Sequence, residues 1–179
     1  MRTATAAFCL GLWIMGTLSI SVMATQNFFT IDRLLAAEVN PEFHESVEQL
    51  GTEEARVFLR HLSSELNRLY FQYWNYTQLP LAGIVLWLVF WLPDGARLSW
   101  TVGIMLLIVT ALTVLVTPPI VAIGRSLDFV PRNPPPPELA TFGILHAIYT
   151  SLEIGKAALG LWVVYQLCSR TRERQTFPG

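Results

Sequence analysis

Three stretches of this chain, residues 6–29, 98–123 and 141–168, are apolar over lengths that meet or exceed the roughly 20 residues a helix needs to cross the hydrocarbon core of a bilayer. With 53% hydrophobic and only 14% charged residues, and a mean hydropathy of +0.45, the chain lies far from ordinary soluble domains and reads as an integral membrane protein. The lipid bilayer is therefore its first partner. A formal net charge of -1 offers no basic surface for nucleic acid, and no zinc-finger, helix-turn-helix or RNA-binding motif occurs.

A fourth segment, residues 79–92, is short by itself. It follows the run Leu69-Tyr70-Phe71-Gln72-Tyr73-Trp74-Asn75-Tyr76, whose aromatics suit the headgroup layer, so it counts as the second of four spans, with a kink expected at Pro80. The expected fold is all-α: one membrane domain over residues 1–179, an integral membrane four-helix bundle with a long amphipathic helical extension before the second span. That extension lies in the acidic extramembrane loop 30–78. There Ala55, Phe58, Leu59, Leu62, Leu66, Leu69, Tyr70 and Tyr73 recur at three- and four-residue steps, while Arg56, Arg60, Ser64 and Asn67 fall on other faces. Such a stripe serves core packing, contact with the membrane surface or docking of another subunit.

The extension helix is expected to start at Thr52, with Glu53 and Glu54 complementing its dipole. Upstream, Asn40-Pro41 reads as a turn before a short helix whose Ser46-to-Gln49 spacing allows a capping box. The proline-rich segment 131–137 reads as a stiff polyproline II strap, a spacer rather than a ligand for a proline-recognition domain.

Arg2, an apolar run and Val22-Met23-Ala24 give the first segment a rival reading as a cleavable signal peptide, although its apolar run exceeds the usual length. A lipid-modified Cys9 fits less well, because Phe8 stands where a small residue is expected. Arg2, Arg97, Arg170, Arg172 and Arg174 fall on one side of the four spans. Arg125, Arg132 and the four arginines of the long loop, diluted by Glu38 and its acidic neighbours, fall on the other. The positive-inside rule then places both termini in the cytoplasm, across the cell inner membrane from the acidic loop. Cys9 and Cys168, at the outer ends of the first and last segments, share a side.

Within the spans, Gly16, Thr17, Ser21 and Thr25 form a small-residue packing seam whose hydroxyls can bond to a neighbouring helix. The strongest functional lead is the polar stripe His146, Tyr149, Glu153 and Lys156 on the last span. A charge at mid-bilayer costs at least about 2.5–3.5 kcal/mol and must face protein, a partner or water. Three readings follow: a structural network around a Glu153–Lys156 pair; a proton, ion or metal pathway; or a haem or chlorophyll ligated by His146. His44 and His61 lie among loop glutamates without metal-ligand spacing. No phosphate loop, CxxC pair or HExxH helix is present, and no catalytic constellation emerges.

Leu12-Trp13-Ile14-Met15-Gly16 with Asn27-Phe28-Phe29, then Thr117-Pro118-Pro119-Ile120, then Phe142-Gly143-Ile144-Leu145-His146-Ala147 with Ser151-Leu152 resemble a family of small four-helix membrane proteins of uncharacterised activity. That family includes the human transmembrane protein linked to cisplatin resistance and is distantly similar to the CopD-like superfamily. The resemblance covers the spans and not the acidic loop. It implies a helical bundle and draws attention to His146. Some superfamily members handle copper or haem through additional intramembrane histidines, which the first three spans here do not contain. The expected function is that of a non-catalytic multi-pass protein, an accessory or scaffold subunit among other membrane-protein subunits, for example of a respiratory or photosynthetic electron-transfer assembly. The alternative is a small ion or metal transporter, or a tetrapyrrole-binding membrane protein, that uses the fourth-span stripe.

Overall fold

A computed structural model describes residues 1–37, 40–93 and 95–176, with side chains through Ser169. Glu38 and the side chains of Arg170, Arg172 and Arg174, all used in the charge count, lie outside the described residues. Five helices and no strand occur among the described residues: α1 (Arg2–Ala36), α2 (Pro41–Leu50), α3 (Thr52–Phe90), α4 (Ala96–Ser126) and α5 (Glu138–Thr176). The expected count of four is thus corrected to five.

The additional helix, α2, exists because the turn at Asn40-Pro41 is a strong start signal. Pro41 supplies a preset φ at the first helical position, and Asn40 Oδ1 accepts from the Phe43 N–H at 2.9 Å. Asn40 is the cap, and the Ser46–Gln49 box does not form: Ser46 donates back to the Glu42 carbonyl. Between α2 and α3 the chain turns at Gly51, where φ is 95° and an added Cβ would lie 2.7 Å from Glu54 Oε2. From Thr52, with Glu53 and Glu54 in its first turn, α3 runs through Pro80 to Phe90 without interruption.

Three helices, α1, α4 and α5, are long and apolar enough to cross a membrane. Only 22%, 33% and 28% of their apolar windows is buried inside the protein, so most of that surface faces outward, as lipid contact requires. The helix α3 is not among them, because Asn75, Gln78 and Pro80 interrupt its apolar half.

Residue pairings show that neighbouring long helices run antiparallel. Trp13 meets Gln78 and Asn27 meets Asn67 between α1 and α3, Asn75 meets Thr117 between α3 and α4, and Gly160 lies against Ile14 of α1 and Met105 of α4. The apolar core sits toward the N-terminal end of α1, around Leu10, Trp13, Val85, Val89, Val102, Met105, Val163 and Leu167. At Leu112–Val116, α4 widens into a π-helical turn immediately before Thr117-Pro118-Pro119. The two prolines supply no N–H to the preceding turn, and the wider winding accommodates that loss. The strap at 131–137 is not one continuous extended segment. It bends at Asn133-Pro134, and the Leu139 N–H closes a turn onto the Pro136 carbonyl at 3.1 Å to enter α5.

One close approach fixes how α1 meets α3. A Cβ on Gly16 would lie 2.0 Å from Trp74 Cη2, so the indole occupies the place of a side chain. Gly16→Ala should destabilise the protein by about 1–3 kcal/mol, the usual cost of overpacking, read as a lowered unfolding midpoint in detergent. An unchanged midpoint would show that Trp74 is not held there.

Candidate functional site

The polar stripe of α5 divides into two parts. Tyr149, Glu153 and Lys156 turn inward and are buried, whereas His146 is exposed and stacks on Phe142 with ring centroids 6.0 Å apart. Lys156 is only 2% exposed. Its Nζ donates to Glu153 Oε1 at 2.6 Å and makes a short hydrogen bond to Gln78 Oε1, and it lies 5.7 Å from the centre of the Trp13 indole. Trp13 Nε1 donates to the same Gln78 oxygen at 2.7 Å. One amide oxygen of α3 therefore joins α1 to α5. Next to it, Asn75 donates to Thr117 Oγ1 at 2.8 Å and accepts from the Tyr149 hydroxyl at 2.9 Å, which brings α4 into the network.

Gln78, Asn75, Thr117 and Trp13 were not singled out from the sequence. Ser63, Asn67, Asn75 and Gln78 are all buried on α3, and their helical spacing opposite the apolar stripe was the available signal. Apart from Ala55, which is buried, the stripe faces outward: Phe58, Leu62, Leu69 and Tyr73 are 56%, 56%, 40% and 63% exposed, with Leu59, Leu66 and Tyr70 half-buried. Of the three uses open to it, packing in this chain's own core is ruled out for these outward positions.

The α1 seam also divides. Gly16 and Thr17 meet α3, with Trp74 Nε1 donating to Thr17 Oγ1 at 3.2 Å. Ser21 and Thr25 instead donate to carbonyls one turn back in their own helix. Together with Thr17 they border a crevice of about 530 Å³ between α1 and α5, backed by Phe71 and Trp74 of α3 and reached by His146 and Glu153. Glu153 is nine-tenths buried there, and its Oε2 is enclosed with no hydrogen-bond partner among the described residues.

A second polar group closes the end of the bundle where α3 begins. Arg68 grips both oxygens of Asp128 at 2.8 and 2.9 Å, and Arg125 grips both oxygens of Glu65 at 3.0 and 2.9 Å. Arg68 also donates to Glu65 at 2.5 Å, and His61 Nδ1 lies 3.0 Å from Asp128 Oδ2. Hydrogen bonds from Arg125, outweighing desolvation, hold the Glu65 carboxyl at about 2. Burial pushes Asp128 up, but the hydrogen bonds and charge of Arg68, with those of His61, bring it below the ordinary carboxylate range.

His61, Glu65 and Asp128 offer ligand atoms within 4.8 Å of one another, a grouping their sequence spacing does not reveal. Both carboxylates are already taken by guanidinium forks, so a cation would have to displace paired arginines. The group is an ion-pair clasp. His44 lies apart from it, against Glu48 of the same helix. His146 has no second imidazole on the apolar helices α1, α4 and α5, and Cys9 and Cys168, both free, lie toward the opposite end of the bundle.

No family model matches the chain, and no curated protein or solved structure matches it either.

Two outcomes are expected from this geometry. Lys156→Met leaves Glu153 buried without its cation and should cost about 3–5 kcal/mol, whereas the double change of Glu153 and Lys156 to Leu should cost much less, as comparison of unfolding in detergent will show. Equal losses would mean that the pair is solvated. The second outcome concerns pH. The clasp carboxyls are lowered in the folded protein, so their contribution is complete above the ordinary value of 4.5 and is lost as pH falls from there toward about 2. Referred to the intrinsic exchange rate at each pH, hydrogen-exchange protection in residues 60–70 should therefore fall between pH 5 and pH 3, and Glu65→Gln should remove most of that change. Protection indifferent to pH would count against the clasp.

Proposed function

We propose that this is a non-catalytic multi-pass membrane protein that acts as an accessory or scaffold subunit of a larger membrane assembly. In this reading the apolar half of α3 is the fourth span, as buried Ala82, Val85, Leu88 and Val89 within the common core suggest. Both termini lie in the cytoplasm of a cell with an inner membrane, with the clasp on the opposite side. A respiratory or photosynthetic electron-transfer assembly is a natural host for such a helical subunit.

The observation that carries this reading is an apolar patch at the level of the clasp. Ionised groups such as Asp32 with Arg56, and Glu65 with Arg125, mark a height outside the hydrocarbon. At that height Phe29, Phe58, Leu62 and Phe129 are 60%, 56%, 56% and 56% exposed. Phe129 is held at φ 60°, which is strained for an aromatic residue, with its ring on Phe58 and His61. Lipid tails do not cover a surface among paired arginines, but another protein subunit does.

A second reading is supported by the shared position of His146 and Glu153 on one crevice. It makes the protein a small transporter or tetrapyrrole binder acting through α5. Glu153→Gln with Lys156 retained separates the two: lost assembly supports the structural role, and intact assembly with lost transport or lost visible absorption supports the alternative.

Extraction from the native membrane in mild detergent should yield a particle much larger than the lone chain, with stoichiometric partners. Phe58→Glu with Leu62→Glu should release the chain, still folded, from that particle. A lone wild-type monomer or dimer would overturn the subunit reading, and a haem or chlorophyll band lost on His146→Ala would favour the second.

A further inference from the structure

We propose that the crevice between α1 and α5 is a binding site for a hydroxylated lipophile, a membrane-soluble molecule carrying one neutral alcohol or phenol on a long apolar body. This inference is independent of the subunit reading. It rests on three properties of the crevice: volume, composition and one unsatisfied oxygen.

The volume of about 530 Å³ lies within the range of small-molecule sites, roughly 300–1,000 Å³. The walls are mainly apolar, with the rings of Phe28, Phe71 and Trp74 at the back. At the rim Leu18 and Ile154 are 51% and 66% exposed. Both belong to helices apolar enough to cross a membrane, so a ligand reaches the crevice sideways from the lipid without crossing water.

The polar requirement is set by Glu153. Its Oε1 accepts from Lys156, while Oε2 is buried without a donor. Of the donors that line the crevice, the Tyr149 hydroxyl is turned to Asn75, Trp74 Nε1 to Thr17, and Ser21 and Thr25 to their own helix, and neither Thr150 nor His146 bonds to Oε2. A buried carboxylate oxygen left in this state costs free energy, and because Oε2 is enclosed a ligand donor recovers it when the Glu153 carboxylate turns into the crevice.

Charge selects the kind of donor. Glu153 and Lys156 together are neutral. A ligand ammonium would leave a net positive charge in low dielectric, and a ligand carboxylate would oppose the existing one. A hydroxyl donates while keeping the site neutral. A plain acyl chain fills the volume and leaves Oε2 unsatisfied.

The test uses the full-length chain in phosphatidylcholine nanodiscs and a diazirine-bearing hexadecanol as photoprobe. Labelling should map to residues 17–28 and 146–157. Unlabelled hexadecanol should displace the probe at roughly tenfold or lower concentration than hexadecyl methyl ether, which has the same body and no donor. That preference should disappear when Glu153 and Lys156 are both changed to Leu, which keeps the crevice and removes the acceptor. Ser21→Phe, or Ala157→Phe if the first does not fold, should abolish labelling by filling the space.

Equal competition by alcohol and ether would give the crevice to ordinary lipid chains and overturn the proposal. So would labelling elsewhere, labelling that survives both filled variants, or an alcohol preference that persists without Glu153. Stronger displacement by hexadecylammonium would replace the neutral ligand with a cationic one. A crosslink from Ser21 to another protein in the native particle, with no photolabelling there, would assign the crevice to a partner helix.

Discussion

The ammonium of Lys156 is the constraint on which the rest of this structure depends. Leaving a cation of that kind unpaired in a low-dielectric interior would cost several kcal/mol, and its own helix provides only Glu153. The remaining contacts come from Gln78 of α3 and the Trp13 ring of α1. Meeting those needs sets the relative height and rotation of three helices at once. Asn75, one turn from Gln78, then extends the network to Thr117 and Tyr149, so α4 is placed by the same chain of hydrogen bonds. The π-helical turn before Thr117-Pro118-Pro119 lies where α4 presents that threonine.

The helix α3 is organised in the opposite sense to a helix of a soluble domain. Over residues 58–78 its polar residues Ser63, Asn67, Asn75 and Gln78 are inside and Phe58, Leu62, Leu69, Tyr73 and Tyr76 are outside, while further on Val85, Leu88 and Val89 enter the core. In water this arrangement would be unstable, because exposed apolar area costs roughly 25 cal/mol per Å². In lipid or against another subunit it is the stable one, since the polar groups then bond one another and the apolar stripe meets an apolar phase. The inversion makes two separate regions. Near the node the network is buried and pairs charge with amide. At the clasp, arginine forks pair with carboxylates beside exposed aromatics, a mixture suited to a protein neighbour rather than to hydrocarbon.

Paired charge and orphaned polarity therefore mark different places. The clasp pairs both carboxylates with arginine forks, so the histidine and acids it gathers closely enough to suggest a metal ion are held as ion pairs. In the node Lys156, Gln78, Asn75 and Tyr149 each find a partner, and one Glu153 oxygen is left without one, beside a crevice that the α1 hydroxyls border without filling. The functional interest of the molecule lies in that imbalance.

What was legible in the sequence is what local chemistry decides. Apolar runs longer than a bilayer is thick declared the membrane class. The Asn40-Pro41 signal announced a helix start, and the three-residue spacing of Glu153 and Lys156 announced their pairing. These depend on neighbours along the chain or on bulk transfer from water. Tertiary structure decided which face of α3 turns inward, because an amphipathic pattern specifies two faces and only the surrounding phase chooses between them. It also decided that Ser21 and Thr25 border space instead of a helix. Finally, it brought Gln78 to Lys156 and Asp128 to Arg68 across 78 and 60 residues, because a buried charge accepts any partner of the right chemistry and only the packing of the helices selects which one arrives.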